Sequence, residues 1–450
     1  GDRVIGFLDT RSDLSEFMNK PIYSPDKLKQ MNTDSLVFVL ASMASADQMA
    51  NVLRNAGVQE AQIIQSEKPL LNLAQQRQKL TIGLKSLLYY PVINDKDRLS
   101  DLLSRVNWYL PERKGMVQVT IPVTAPLQFM GDPNELQDQS TLDLDEQLRR
   151  ADLIVVWSKS ALKELKNYYG KIACVDPEYF STTESDIYRH LYYWCLGENS
   201  HEHYHSLSQA NFAEMLRKQT GKGKAYVFGT GPSLERASEF DFKDGFNIVC
   251  NSIVKNVALL DHIQPDAIAF ADPVFHFSYC DYAAEFRARL LESVERYNCY
   301  CLVPDVVVPL LLKHYPQLEQ KIIGISTGSQ FNFPSVEDLK VKAAANILTL
   351  LMIPVASAIA NEVYILGCDG RRKQEDYFWK HSEQSQFVDR MQSAFSAHPS
   401  FFRDRIYADY YDEHCLVLES LLNYGEEQGK TYRSLTYSLI PALQQRAVNP

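Results

Sequence analysis

The sequence predicts an α/β fold in which parallel sheets are flanked by helices. Three observations carry that reading. Short apolar runs alternate with stretches of helical spacing along most of the chain, the pattern of strand–helix–strand units. An apolar run, Ala225–Phe228, passes through Gly229-Thr-Gly-Pro-Ser233 into a stretch of helical character that opens at Leu234. Polar residues then follow directly on the end of each later strand, which in an open parallel sheet is the edge that binds ligands.

The N-terminal half builds its units in order. Val4–Leu8 is an apolar run ending at Asp9, Lys20–Tyr23 is a short extended piece, and Ser24 opens a short helix through Lys29. Leu36–Ala41 reads as a buried strand. Ser45–Asn55 places Met49, Leu53 and Ala56 on one helical face, and Gly57 ends it, because glycine takes the left-handed conformation of a C-cap without strain. Ile63–Ile64 begins a further strand. Residues 67–110 read as mainly helical from the spacing of their leucines. Met116–Ile121 alternates apolar and polar residues as a strand does, Pro122 and Pro126 end it, and 127–141 reads as a surface loop. A helix over 142–150, a buried strand Leu153–Trp157, a helix from Ser158 to Tyr169 and a strand Ile172–Val175 form a second set of units. Residues 187–217 read as helical and join the halves. The expected organisation is an α/β domain over 1–200, a linker over 201–223 and a second α/β domain over 224–450.

In the C-terminal half the alternation is cleaner. Phe246–Cys250 is followed by Asn251-Ser252, Ala267–Ala271 by Asp272-Pro273, and Tyr300–Val303 by Pro304-Asp305. Ile322–Ile325 is followed by Ser326-Thr-Gly-Ser329, and Glu362–Leu366 by Gly367-Cys-Asp-Gly370. Ala343–Ile359 reads as a helix despite Pro354. Residues 371–412 are aromatic and charged and read as a lid or wall, before a helix over Glu413–Tyr424 and a last short element at Thr436–Ala442. The turn Gly229–Ser233 reads as a phosphate cradle. Its glycines admit a close anion, and a helix start presents N–H groups and the positive end of the dipole. A plain strand-to-helix turn is the alternative.

Composition narrows the function classes. The 450 residues carry a net charge of −10, which argues against a general nucleic-acid binder. The eight cysteines are scattered and read as free thiols of a reducing compartment; Cys299 and Cys301 have no second pair with which to hold a metal. His201, His203 and His205 look like a metal tract, but alternate positions on a helix do not converge on one ion. No apolar run approaches the roughly 18 residues that span a bilayer, and no signal peptide is read at the start, so a cytoplasmic location is expected.

The ordered set Gly229-Thr-Gly-Pro-Ser-Leu234, Cys250-Asn251, Ala269-Phe-Ala-Asp-Pro273 and Tyr364-Ile-Leu-Gly-Cys-Asp369 resembles the bacterial CMP-sialic acid sialyltransferases and the related motility-associated flagellin glycosyltransferases. The resemblance covers about 222–440. It implies two Rossmann-like domains in a GT-B-like arrangement and a donor that is a CMP-activated 2-keto sugar acid, either Kdo or a sialic or other nonulosonic acid. The acceptor implied is a bacterial surface glycan or glycolipid, such as a capsule or lipopolysaccharide chain. No cofactor and no metal are expected, the CMP-sugar being the donor substrate; contact with the inner membrane or with other biosynthetic enzymes stays open. Gly229, Thr230, Gly231, Pro232, Ser233 and Asn251 are expected at the nucleotide, with Ser326, Thr327, Gly328, Ser329 and Asp369 as further contacts or ordinary turn residues.

Asp272 stands where the sialyltransferases carry Asn. A carboxylate there can attack the anomeric carbon and give retention, as in a retaining Kdo transferase, or act as the base of one inverting displacement. An Asx-Pro turn is its structural alternative. For the histidine base of the family, His381, His398 and His414 compete after the Asp369 strand, and His276, four residues beyond Asp272 and on its face if that segment is helical, is a further catalytic candidate. Arg371, Arg372 and Lys380 are candidate neutralisers of a sugar carboxylate or phosphate. A pterin diphosphokinase-like enzyme, which would use ATP, is a rival class, and a non-catalytic nucleotide-binding module is a third.

Overall fold

The computed structural model describes residues 5–8, 16–17, 20–33, 36–40, 46–64, 83–124, 143–179, 184–219, 223–372, 383–405 and 407–448. The chain divides into two compact units, 1–76 and 77–450.

In the first unit, β1 (Phe7–Leu8) pairs in parallel with β3 (Lys20–Tyr23), and β2 (Glu16–Phe17) pairs with β3 antiparallel. A second pair, β4 (Phe38–Val39) and β5 (Ile63–Ile64), is parallel. The helix Ala46–Asn55 lays Ala50 and Leu53 against Leu28, Leu40 and Val58, and Gly57 follows it at φ 89°. That is the left-handed stop its sequence announces.

The second unit holds two parallel sheets. The smaller has the order β7-β6-β8-β9, from β6 (Ser86–Tyr90), β7 (Gln118–Thr120), β8 (Leu153–Val156) and β9 (Ile172–Cys174). The helical reading of 67–110 is corrected here. Ser86–Tyr90 is a strand, and only Lys96–Tyr109 is a helix within the described part of that stretch. Leu87, Leu88, Tyr89 and Tyr90 are all buried, so the strand has no polar face and shows none of the alternation that separates a strand from a helix. Residues 67–82 and the loop expected over 127–141 lie outside the described residues.

The larger sheet has eight strands in the order β15-β14-β13-β12-β11-β10-β16-β17, every neighbouring pair parallel. Its members are β10 (Lys224–Phe228), β11 (Gly245–Cys250), β12 (Ala267–Ala269), β13 (Tyr300–Pro304), β14 (Ile322–Gly328), β15 (Lys340–Lys342), β16 (Glu362–Leu366) and β17 (Thr431–Ser434). Strands β11, β12 and β13 are buried along their whole length. Each fully buried Val, Ile, Leu or Phe there stabilises the sheet by about 1.5–3 kcal/mol.

From β10 the chain steps outward through β11 to β15, then returns to add β16 and β17 on the other side of β10. The order therefore reverses between β10 and β16, and the crevice beyond the carboxyl ends there is the favoured ligand position of such sheets. The stretch read as a linker is largely the helix Glu198–Lys218. It docks on β14, with Ser208 Oγ accepting from the Gly324 N–H at 3.0 Å.

Two further readings change. The helix expected over 343–359 starts later, as a π-turn over Leu348–Met352 that runs into the α-helix Ile353–Ile359. Pro354 has no N–H to donate and its ring crowds the preceding turn, and the wider π-turn accommodates both. Within 371–412, the stretch expected as a lid or wall, the described residues include the short helices Met391–Ala397 and Pro399–Asp404, and the helix expected over 413–424 extends across Tyr407–Glu427.

Candidate functional site

The site is built where β10, β11, β12 and β16 end. The ends of β10 and β16 are locked together. The Gly229 N–H donates to Leu366 O and the Gly231 N–H to Gly367 O, both at 2.8 Å. A Cβ on Gly229 would stand 2.5 Å from Gly367 O, and one on Gly231 only 2.1 Å from Asp369 Oδ2. Glycine is required because two strand ends approach each other that closely.

Asp369 caps the short helical segment Pro232–Glu239. Its carboxylate accepts the Ser233 N–H at 3.2 Å from each oxygen, and Ser233 Oγ lies 2.9 Å from both Asp369 Oδ2 and Thr436 Oγ1. Burial raises the Asp369 carboxyl above its usual range, against the lowering bonds from Ser233. The N–H groups of Gly229, Gly231 and Ser233, expected to face a phosphate, are thus engaged inside the chain, and Pro232 has none. Thr230 remains turned to the crevice and lines both cavities described next.

The larger cavity, about 400 Å³, also takes in Gly231, Glu235, Ser238, Asn256, His262 and Ser385. The smaller, about 150 Å³, gathers Thr230, Asn251, Asp272, His276, Asn346, Arg405, Tyr407 and Tyr410. Asn251 sits directly after β11 at φ 50°, a left-handed conformation that Asn tolerates better than most residues, and its Oδ1 is buried with no hydrogen-bond partner. A buried acceptor left unpaired in a cavity wall calls for a donor from a ligand.

Asp272 follows β12. Its Oδ1 accepts the N–H groups of Val274 at 2.8 Å and Phe275 at 2.9 Å, so the carboxylate is anchored by the turn it creates. Burial raises its pKa, opposed by those two N–H groups and by the positive charges of Arg405 and Arg189. His276 Nδ1 accepts the Asp272 N–H at 2.9 Å, which puts the ring proton on Nε2. Burial, with Arg287 adding to it, pushes His276 down to about 3, so the ring is neutral at physiological pH. A neutral imidazole whose acceptor nitrogen is already bonded is a donor and a positioning group rather than a base. Arg287 fixes this turn from beneath: it is buried over the Trp108 ring at 4.1 Å and donates to His276 O at 2.8 Å and Ser278 O at 3.1 Å.

The other predicted residues lie elsewhere. His414 is buried in the helix Tyr407–Glu427, burial pushes it down to about 4, and it lines neither cavity. His381 and Lys380 lie outside the described residues. Ser326, Thr327 and Gly328 belong to β14 and pair with β15, and Ser329 O accepts from Lys342 Nζ at 3.0 Å; none of the four lines either cavity. Arg371 is 3% exposed, and its Nε and Nη2 are buried without a hydrogen-bond partner. Among the described residues no group of three or more His, Cys, Asp or Glu is placed to hold a metal ion. None of their helices is long and apolar enough to cross a membrane.

Comparison with protein-family models, curated proteins and solved structures finds no match.

Two site residues were missed in the sequence. Arg189, from the helix Glu184–Cys195, donates to Ala271 O at 2.9 Å beside Asp272. Arg405 lies with its guanidinium carbon 4.6 Å from the Phe401 ring centre and 3.9 Å from that of Tyr410. The one signal for Arg405 was its place between two aromatic pairs, Phe401-Phe402 and Tyr410-Tyr411. Arg189 had none. The assembled site offers an anchored carboxylate, a cation beside it, a free amide oxygen and a hydroxyl, all at the carboxyl edge of a parallel sheet.

Proposed function

We propose that this chain is a glycosyltransferase that moves a 2-keto-3-deoxy sugar acid, Kdo or a sialic or other nonulosonic acid, from its CMP-activated donor to a bacterial surface glycan. One observation carries the reading: Asp272 shares a cavity with Thr230 and Asn251 at the carboxyl edge where the strand order turns back. The larger cavity has the size of a nucleoside pocket. Thr230, common to both cavities, then stands where the nucleotide meets the sugar, and Asp272 stands on the sugar side. Two Rossmann-like domains in a GT-B-like pairing are part of the same proposal.

Two courses are open to Asp272. As a nucleophile, its oxygen bonds to the anomeric carbon while the C–O bond to CMP breaks and CMP leaves with the electron pair. The acceptor hydroxyl then displaces the carboxylate, its proton passing to solvent water, and the configuration is retained. As a base, Asp272 takes the proton of an acceptor hydroxyl that displaces CMP in one inverting step. Burial raises the Asp272 pKa, which makes the carboxylate both a better base and a better nucleophile, so the anomeric configuration of the product decides between the two courses.

The test is incubation with CMP-Kdo and with CMP-sialic acid in separate reactions containing glycan acceptor, followed by CMP release and the anomeric configuration of the product. Release above the buffer rate supports the reading. The buffer rate with both donors overturns it. A sugar adduct on Asp272 in mass spectra selects retention.

A further inference from the structure

The Arg405 guanidinium packs against two aromatic rings. Its carbon is 4.6 Å from the Phe401 ring centre and 3.9 Å from that of Tyr410, and Tyr410 is itself fixed through its hydroxyl, which donates to Ala345 O at 2.9 Å. Stacking engages the faces of a guanidinium and leaves the N–H donors on its edge. No hydrogen bond or ion pair to a described residue uses those donors, and Arg405 lines the same cavity as Asp272 and Asn251. Its charge is felt at the Asp272 carboxylate, which it helps to keep ionised.

We infer that Arg405 is the specificity-determining residue for the donor's carboxylate: its fixed fork takes the C1 carboxylate of a 2-keto sugar acid in bidentate fashion. The inference rests on the sugar-acid reading of this cavity and gives it a recognition element. In a 2-ulosonic acid the carboxyl group is bonded directly to the anomeric carbon. Any group that binds it must therefore lie close to the group that reacts at that carbon, as Arg405 lies close to Asp272. A planar carboxylate matches a planar guanidinium, and packing against Phe401 and Tyr410 restricts the side chain before binding, so less orientational freedom is lost. The charge has a second use, since a substrate carboxylate brought beside Asp272 would otherwise meet a like charge. A neutral sugar lacking the carboxylate would leave the fork unpaired in a half-buried wall, and the site would reject it.

Calorimetric titration tests this with four probes: N-acetylneuraminic acid, its methyl ester, Kdo and CMP. They are titrated into the whole chain as wild type, Arg405→Gln and Arg405→Lys, with thermal melts to confirm that each variant is folded. The expected result is that wild type binds at least one free sugar acid, and binds N-acetylneuraminic acid at least about tenfold more tightly than its methyl ester, the loss of one charge-assisted pair. Arg405→Gln should erase the difference and leave CMP affinity unchanged. Arg405→Lys should recover only part of it, because it restores charge without the fork. Arg405→Gln that still separates acid from ester overturns the inference. So does a variant that weakens CMP as much as the acid, which would put the phosphate on Arg405. Wild type that binds the free sugar acid but not CMP leaves the carboxylate fork standing and removes the CMP-donor reading. Wild type that binds neither removes both.

Discussion

Replacing Asp272 by Asn separates the two things this residue does. Asn keeps an oxygen for the N–H groups of Val274 and Phe275, now bonded at 2.8 and 2.9 Å, so the turn survives and unfolding free energy should change by no more than about 1 kcal/mol. Asp272→Ala gives up both bonds and leaves two backbone donors without an acceptor, a cost of about 2–4 kcal/mol. Both variants lose the carboxylate, so turnover should fall by about 10²–10⁴-fold whether it serves as nucleophile or base. Urea unfolding measures the first quantity and CMP release the second. The pH dependence adds a check. Burial raises this carboxyl above its ordinary 3.8, so the acid limb of wild-type turnover should sit above that value. The folded state then holds this proton more tightly than the unfolded chain. The contribution of Asp272 to stability is therefore most favourable below 3.8 and declines as pH rises through the raised value, a decline Asp272→Asn should lack. An Asn variant that releases CMP at the wild-type rate refutes the catalytic role. An Asn variant as unstable as the Ala variant refutes the turn geometry.

Three further predictions follow from groups around the site. His276 and His414 are depressed from 6.5 to about 3 and about 4, so the unfolded chain takes up protons that the folded chain refuses. Stability should be full above pH 6.5 and fall on acidification, by about 2 kcal/mol per histidine at pH 5 (1.5 units at 1.36 kcal/mol); His276→Gln should lose less than wild type between pH 7 and 5 in urea unfolding, and an equal loss counts against the buried neutral ring. Arg371→Met removes a buried charge whose Nε and Nη2 lack partners, so the ligand-free chain should be unchanged or more stable by about 1–3 kcal/mol in thermal melts, and a clear loss would mean the charge is compensated. Gly231→Ala puts a methyl group 2.1 Å from Asp369 Oδ2 and 2.7 Å from Gly367 O, and should cost about 1–3 kcal/mol in urea unfolding as β10 and β16 separate; a silent substitution would disprove the tight seam.

The sheet of the C-terminal half was legible because its strands are buried on both faces and each ends in a turn signal. Phe246–Cys250 before Asn251 and Ala267–Ala269 before Asp272-Pro273 are examples. The same continuous burial concealed Ser86–Tyr90, whose neighbouring leucines supplied a false helical spacing. Strand β17 escaped for the opposite reason. Thr431–Ser434 alternates exposed and buried positions at a sheet edge and is too short to declare a period. The Ser326-Thr-Gly run looked like a turn because those residues favour turns, but pairing with Lys340–Lys342 carries the strand through it. Of the site, Asn251, Asp272 and His276 were accessible from their places after strands. Arg189 and Arg405 were not: Arg189 reaches in from the distant helix Glu184–Cys195, and Arg405 from the extended residue that follows the helix Pro399–Asp404.

The Gly-rich turn has a structural reason for its glycines that is separate from any ligand. Two glycines after a strand mean that something approaches the backbone closely, and the sequence alone does not say what. Here it is the neighbouring strand end. A helix start can be capped by its own carboxylate or can receive an external anion, and Asp369 has taken the first course at Ser233. Its negative charge works against a phosphate at the same donors. The seam formed by Gly229, Gly231, Gly367 and Asp369 instead fixes the ends of β10 and β16 and turns Thr230 toward both cavities. Anion recognition then has to come from side chains that reach in from outside the sheet. Arg405, stacked and unspent beside Asp272, meets that requirement, and the buried Arg371 two residues past Asp369 is the next group to probe.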